Sequence, residues 1–332
     1  MRKRDKILFE GQYTLPFEEL QLPPVITKNA ADGIHSRTSE TLRPQNVNDN
    51  PANRHFIYIS FGSGSSGNSC YIGNNNEGII VDAGVRAEDI TRELAANGIP
   101  MTKVKGILLT HDHSDHVKYA YTLLRGNRHL RLYCTNRVLN GLLRRHGISK
   151  RIKDYHIPIF KEIPFMIGAL GITAFDVPHD GTDNMGFSIN YDNRNFVLAT
   201  DLGAVTERAH YYMSRANYLV IEANYDLRML LNGSYPEYLK ARIQTERGHL
   251  NNLDTARFLA EIINPALKYI FLCHLSKDNN TPEIALRTVR EALELRGIKV
   301  GSAQETIADR QADVQLMALP RYDATRRFIF RP

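Results

Sequence analysis

From residue 55 onward the chain is a succession of short apolar runs, each closed by a polar or charged residue. The runs 56–61 (Phe-Ile-Tyr-Ile-Ser-Phe), 69–73, 78–82 (Gly-Ile-Ile-Val-Asp) and 104–109 are short and rich in β-branched and aromatic residues, so they read as buried strands. The same pattern predicts strands at 130–134, 171–177, 185–191, 195–200, 218–222 and 269–273. Helical spacing predicts amphipathic helices at 86–97, closed by Gly98, and at 117–124, 136–145, 236–244, 253–263 and 282–296. Strands alternating with helices, without an internal repeat, suit an α/β protein. The expected architecture is a four-layer αββα sandwich whose loops at one edge carry the chemistry. Residues 1–54 have no strand or helix period and prolines recur in them. They are expected to form an irregular or disordered N-terminal extension, with 55–332 as the folded domain.

Composition narrows the class. About 42% of the 332 residues are hydrophobic, ample for a core, and no apolar run approaches the length needed to span a bilayer. The basic start, Met1-Arg2-Lys3-Arg4, is followed by mixed polar sequence and not by the apolar stretch of a signal peptide. Three dispersed cysteines, Cys70, Cys134 and Cys273, argue against a disulfide framework, so a reducing cytoplasm is the expected setting. A formal charge of +6 favours a polyanionic partner.

The chemistry concentrates in Thr110-His111-Asp112-His113-Ser114-Asp115-His116, between a strand end and a helix start. Along extended backbone, residues two apart point the same way, so His111 and His113 suit one metal ion. Asp115 and His116, where the chain turns into the helix, suit a second. Imidazole and carboxylate without thiolate form a hydrolytic donor set, accepted by zinc or manganese. A pair of ions needs further ligands, and three stand at predicted strand ends. His179 would join His111 and His113, Asp201 would bridge both ions, and His274 would join Asp115 and His116. Asp82, closing 78–82, reads as a residue that orients the loop by hydrogen bonds.

Two segments bear on substrate. Arg247-Gly248-His249-Leu250 leads into a helix, a place where a phosphate can meet backbone N–H groups. His249 there would stabilise or protonate a departing oxygen, with Glu222 orienting it; the plainer reading is a helix cap with an exposed histidine. The Ser/Gly loop 62–68, with Ser65, Ser66, Gly67 and Asn68, forms either a backbone nest for phosphate or a simple turn. Lys240, Arg242 and Arg247 are the basic residues nearest His249 in sequence and are candidate contacts to a phosphate backbone.

The order H-x-H-x-D-H, then His179, Asp201 and His274, resembles the seven-ligand pattern of the metallo-β-lactamase superfamily. The resemblance implies that fold and two divalent ions held by His111, His113, Asp115, His116, His179, Asp201 and His274. Phe61-Gly-Ser-Gly-Ser-Ser-Gly-Asn68, Glu222-Ala-Asn-Tyr-Asp226, Gly233-Ser-Tyr-Pro236, Gly248-His-Leu250 and His274-Leu-Ser276 are similar to the YycJ/WalJ branch, over roughly residues 56–300. Asn251 departs from that branch, which has serine there, and the two chain ends fall outside the match. The branch implies a cytoplasmic nuclease with 5′-to-3′ exonuclease activity on DNA. The layout of Glu222, His249 and His274-Leu-Ser276 also resembles ribonuclease Z, which implies a histidine near the scissile phosphate.

The reading is therefore a phosphodiesterase in which two ions share a water and lower its pKa toward about 7, with Asp115, Glu222 and His249 as catalytic residues and DNA favoured over RNA. Alternatives on the same scaffold are an RNA-processing nuclease, a small-molecule phosphodiesterase and a thioester or lactone hydrolase. A non-catalytic nucleic-acid-binding module is the rival from another class. Oligomeric state has no signature in the sequence.

Overall fold

The computed structural model describes residues 54–331. The expected extension thus lies outside the described residues, apart from Arg54. The strands are β1 (Phe56–Gly62), β2 (Ser69–Gly73), β3 (Gly78–Val81), β4 (Val104–Leu108), β5 (Arg131–Cys134), β6 (His156–Pro158), β7 (Phe165–Ile167) and β8 (Leu170–Asp176). They continue with β9 (Met185–Tyr191), β10 (Arg194–Ala199), β11 (Tyr218–Glu222), β12 (Tyr269–Cys273), β13 (Val300–Gly301), β14 (Val314–Ala318) and β15 (Phe328–Phe330). A seven-stranded sheet runs β15-β1-β2-β3-β4-β5-β6, and an eight-stranded sheet runs β13-β14-β12-β11-β10-β9-β8-β7.

The two sheets pack face to face through aromatic side chains. Tyr58 of β1 lies 4.9 Å, ring to ring, from both Phe196 of β10 and Phe271 of β12. Helices Ala87–Ala96, Ala120–Gly126 and Asn136–Arg145 add Ile90, Leu94, Leu123, Leu124, Val138 and Leu142 to the same core from the first sheet's side. Helices Glu207–Met213, Asn252–Ile262 and Pro282–Glu294 bury Met213, Leu259, Val289 and Leu293 in a second core, with Leu219 and Ile270 of the other sheet. The result is the expected helix–sheet–sheet–helix layering.

Strand direction places the chemistry. β3, β4, β5 and β6 are parallel, as are β10, β11 and β12. β9 is antiparallel to both β8 and β10, so β8 runs with β10. Asp82, the 110–116 loop, His179, Asp201 and His274 therefore all follow the carboxyl ends of strands, the edge at which α/β sheets bind ligands.

Several elements differ from the sequence pattern. The helix expected over 117–124 is two pieces, Ser114–Val117 and Ala120–Gly126, because the Tyr119 N–H donates to the Ala83 carbonyl at 2.8 Å and not along a helix. Helices Glu207–Met213 and Leu227–Asn232 were not expected. The last thirty residues, which carried no expectation, complete both sheets: β14 pairs with β12, and β15 pairs with β1. The three cysteines are buried and unpaired. Among the described residues no helix is long and apolar enough to cross a membrane.

Gly84 sits where the segment after β3 crosses the 111–116 loop. A Cβ there would lie 1.6 Å from the Asp115 carbonyl oxygen, which is backbone and cannot swing away. Gly84→Ala should therefore lower stability by about 1–3 kcal/mol or more, read as a lower urea midpoint. An unchanged midpoint would show that the loop gives way freely.

Candidate metal centre

Asp82 follows β3 with φ 57°, a conformation uncommon outside glycine, which turns its carboxylate under the neighbouring loop. That carboxylate accepts from the Thr110 N–H at 2.9 Å, the Thr110 hydroxyl at 2.8 Å and His116 Nδ1–H at 2.7 Å. The Thr110 hydroxyl, having donated its proton, accepts from His111 Nδ1–H at 3.0 Å. His111 is thus left with Nε2 as the free nitrogen, while His116 Nε2 lies 2.9 Å from the Asn68 amide nitrogen.

The remaining imidazoles stand around these two. His113 Nε2 lies 3.3 Å from Asp180 Oδ1, and its Nδ1 lies 3.3 Å from His179 Nε2. His179 Nδ1–H donates to the Gly248 carbonyl at 3.0 Å. His274, at φ 53° beyond β12, has Nδ1 2.8 Å from Glu222 Oε1 and 3.0 Å from Asp201 Oδ1. In His111, His116, His179 and His274 one nitrogen thus has a protein acceptor, which fixes the tautomer and leaves the other nitrogen's lone pair for a cation.

The free atoms converge. His111, His113 and His179 form one set whose ligand atoms all lie within 4.8 Å of one another, and Asp115, His116 and His274 form another. Asp201 belongs to a set with His111 and His116, and to one with Glu222, His249 and His274. His116 Nε2 is 3.2 Å from Asp201 Oδ2, and Asp115 Oδ2 is 3.6 Å from Nε2 of both His116 and His274. His111 Nε2, His274 Nε2 and Asp201 Oδ2 are buried without any hydrogen-bond partner. Such atoms are costly in a dry interior unless something else satisfies them, and a divalent cation fits this all-nitrogen-and-oxygen donor set.

Charge is divided within the cluster. Burial, reinforced by neighbouring imidazoles, holds His111 well below the usual histidine range and His113 at about 4, so both are neutral at pH 7. Burial also disfavours charge on His116, but Asp201, Asp82 and Asp115 outweigh it and raise its pKa to about 9. His274 is likewise raised against its burial, chiefly by Asp201. Asp115 is lowered to about 2, because His116 and His274 overcome its burial. The acidic half of the cluster therefore holds protons that a cation would replace.

His249 stands beside this group. Its Nδ1 is 2.7 Å from Glu222 Oε1, and its ring centroid is 5.0 Å from His179 and 5.2 Å from His274. Glu222, fully buried, also accepts from the N–H groups of Leu202 at 3.0 Å and Leu250 at 3.3 Å. The His249 side chain remains 19% exposed, which puts it on the open side of the cluster.

The residues expected to meet phosphate lie apart from one another. Asn68 turns inward, with Nδ2 3.1 Å from Asp115 Oδ2 and 2.9 Å from His116 Nε2, so it belongs to the wall of the cluster. Gly67 is buried against Gly84, while Ser65 and Ser66 are exposed. Lys240 is buried, and its ammonium donates to the Leu231 carbonyl at 2.8 Å and Glu237 at 3.0 Å, within its own lobe. Arg242 is exposed at the rim, donating through Nε to Asp180 Oδ2 at 2.7 Å.

Sequence reasoning passed over three supporting residues. Asp180 bridges Arg242 to His113, and its position directly after His179 was the available signal. Asp112, fully buried, accepts from the Thr182 N–H at 2.8 Å and hydroxyl at 2.6 Å, tying the histidine loop to the segment after His179. Asn224 Nδ2 donates to the His274 carbonyl at 2.7 Å, a contact no local pattern announces.

Comparison with known proteins agrees with this geometry. The model of the beta-lactamase superfamily domain matches residues 78–272. Exodeoxyribonuclease YycJ of Bacillus anthracis is 34% identical over 257 residues, 76% of this chain and 93% of its own length. Exodeoxyribonuclease WalJ of Streptococcus pneumoniae is 34% identical over 248 residues, 74% of this chain and 91% of its own. The crystal structure of YhfI from Bacillus subtilis, a metallo-beta-lactamase fold protein, superposes with a TM-score of 0.56 at 14% identity, over 81% of this chain and 99% of that one. With its sheet order, its convergent histidines and these relatives taken together, the chain belongs to the beta-lactamase superfamily and, within it, to the group of the YycJ and WalJ proteins.

Proposed function

We propose that this chain is a metal-dependent phosphodiesterase that degrades DNA from an end, in the 5′-to-3′ direction. One observation carries the reading: five imidazoles, four of them with one nitrogen held by a protein acceptor, converge on a common volume shared with Asp115 and Asp201. The arrangement fits two divalent ions, zinc or manganese. His111, His113 and His179 would hold one, Asp115, His116 and His274 the other, with Asp201 between them. Bound there, such ions supply Lewis acidity, lowering the pKa of water and offsetting charge on a phosphoryl group.

The chain's own residues do the rest. Asp82 and Thr110 keep His116 and His111 in ligand-ready tautomers, as the Gly248 carbonyl and Glu222 do for His179 and His274. Glu222 holds His249 by Nδ1, which leaves Nε2 to carry a proton to the departing oxygen of the cleaved strand. A thioester would leave His249 with no departing oxygen to serve, because its leaving group is a thiolate. The exodeoxyribonuclease names of the two relatives support DNA as the polymer.

His249→Ala should lower kcat on a DNA substrate by about 10²–10⁴-fold while metal content, measured by elemental analysis, stays at the wild-type level. Full activity in that variant would contradict the role given to His249. His113→Ala, in contrast, should lose both metal and activity.

Metal affinity should depend on pH with a definite sign. His116, with its pKa at about 9, and His274, also raised, are protonated at pH 7, so a cation must displace their protons. Affinity should rise from pH 6 to pH 8 and level off above about pH 9, with proton release visible by calorimetry in buffers of different ionisation enthalpy. An affinity constant across that interval would rule out these histidines as ligands.

A further inference from the structure

Residues 226–244 build a small lobe beside the metal centre. Helices Leu227–Asn232 and Glu237–Ile243 pack on each other through Tyr225, Leu230 and Ile243, a core separate from the two that hold the sheets. The lobe is fastened to the site at several points. The His249 N–H donates to the Ile243 carbonyl at 3.0 Å, and the Asn252 N–H to the Tyr225 carbonyl at 2.9 Å. Arg247, just beyond the second helix, donates to the His179 carbonyl at 3.1 Å. Arg242 holds Asp180, which in turn faces His113.

The outer face of the second helix has an unusual composition. Lys240 and Ile243 are its buried residues, so Tyr238 and Arg242, four positions apart, share the opposite, solvent-facing side. Tyr238 is 77% exposed, and neither its ring nor its hydroxyl meets an aromatic or hydrogen-bonding partner among the described residues. Arg242 uses Nε and one terminal nitrogen on Asp180, and a guanidinium has five N–H donors, so others remain for an anion. Arg228, on the first helix, is exposed and makes no ion pair with a described residue. A flat ring one helical turn, about 6 Å, from a cation anchored at the rim of the metal centre matches the alternation of base and phosphate along a single strand.

We propose that Tyr238 is a stacking platform for a nucleobase of the substrate strand, with Arg242 against a phosphate between that base and the metal centre. The inference rests on the phosphodiesterase reading and deepens it: the base that meets Tyr238 is in a single strand or at a strand end, because a base inside a duplex offers no free face. Recognition is by stacking and charge and is insensitive to sequence, since every base has a π-face. The exposed apolar neighbours Leu227 and Leu231 belong to the same lobe and add non-specific contact area.

The test is steady-state cleavage of a single-stranded oligodeoxynucleotide by the metal-loaded protein. Tyr238→Ala should raise KM by about 5- to 150-fold with a much smaller change in kcat, and Tyr238→Phe and Tyr238→Trp should restore KM, because each keeps an aromatic face. The position is exposed, so folding is not at stake. A KM for Tyr238→Ala within twofold of wild type, in a protein that cleaves the oligonucleotide, would overturn the platform and leave the nuclease reading intact. A KM restored by no aromatic variant would overturn it as well. A wild-type protein that cleaves no oligonucleotide would overturn both.

Discussion

The Asp82 carboxylate, 2% exposed at the end of β3, holds the backbone N–H and hydroxyl of Thr110 and the imidazole of His116. A carboxylate removed from water is costly unless its oxygens are satisfied, and here every donor comes from the loop that bears the histidines. The loop therefore cannot shift without stranding that charge. Glu222 plays the same part in the other sheet. Fully buried at the end of β11, it gathers the N–H groups of Leu202 and Leu250, the amide of Asn224 and the rings of His249 and His274. One organising carboxylate per sheet thus sets both walls of the cluster, and the face-to-face packing of the sheets brings the walls together.

What these carboxylates organise is not satisfied within the protein. His111 Nε2, His274 Nε2 and Asp201 Oδ2 are buried and unpartnered, and Asp82 and His274 take positive φ without being glycine. Buried ligand-type atoms left unmet beside strained backbone, within one cluster of imidazoles and carboxylates, are the mark of a site that trades stability for ligand binding. Cation binding there relieves the unmet groups, so metal occupancy and the stability of the loop are linked.

Much of this was legible because each candidate ligand stands directly after an apolar run. His179 follows β8, Asp201 follows β10, and His274 follows β12, so strand ends alone point to one edge of the sheets. The break at Lys118 and Tyr119 was not legible, since it depends on a hydrogen bond to Ala83 that helical spacing cannot encode. Asn68 stands in a loop whose composition suits either a phosphate nest or a simple turn, and no local pattern shows that its amide is aimed at Asp115 and His116. Lys240 is a candidate phosphate contact on the basis of charge, but the carbonyl that holds its ammonium belongs to a helix, Leu227–Asn232, too short to leave a clear period. β15, formed more than 250 residues after β1, has no local signal for its partner.

The proposed chemistry requires two cations, held by groups that the two sheets bring together. The most direct measurement is anomalous scattering from crystals of the protein loaded with zinc or manganese. It should locate two ions, one against His111, His113 and His179 and one against Asp115, His116 and His274, with Asp201 reaching both. A single ion, or ions bound away from these residues, would contradict it.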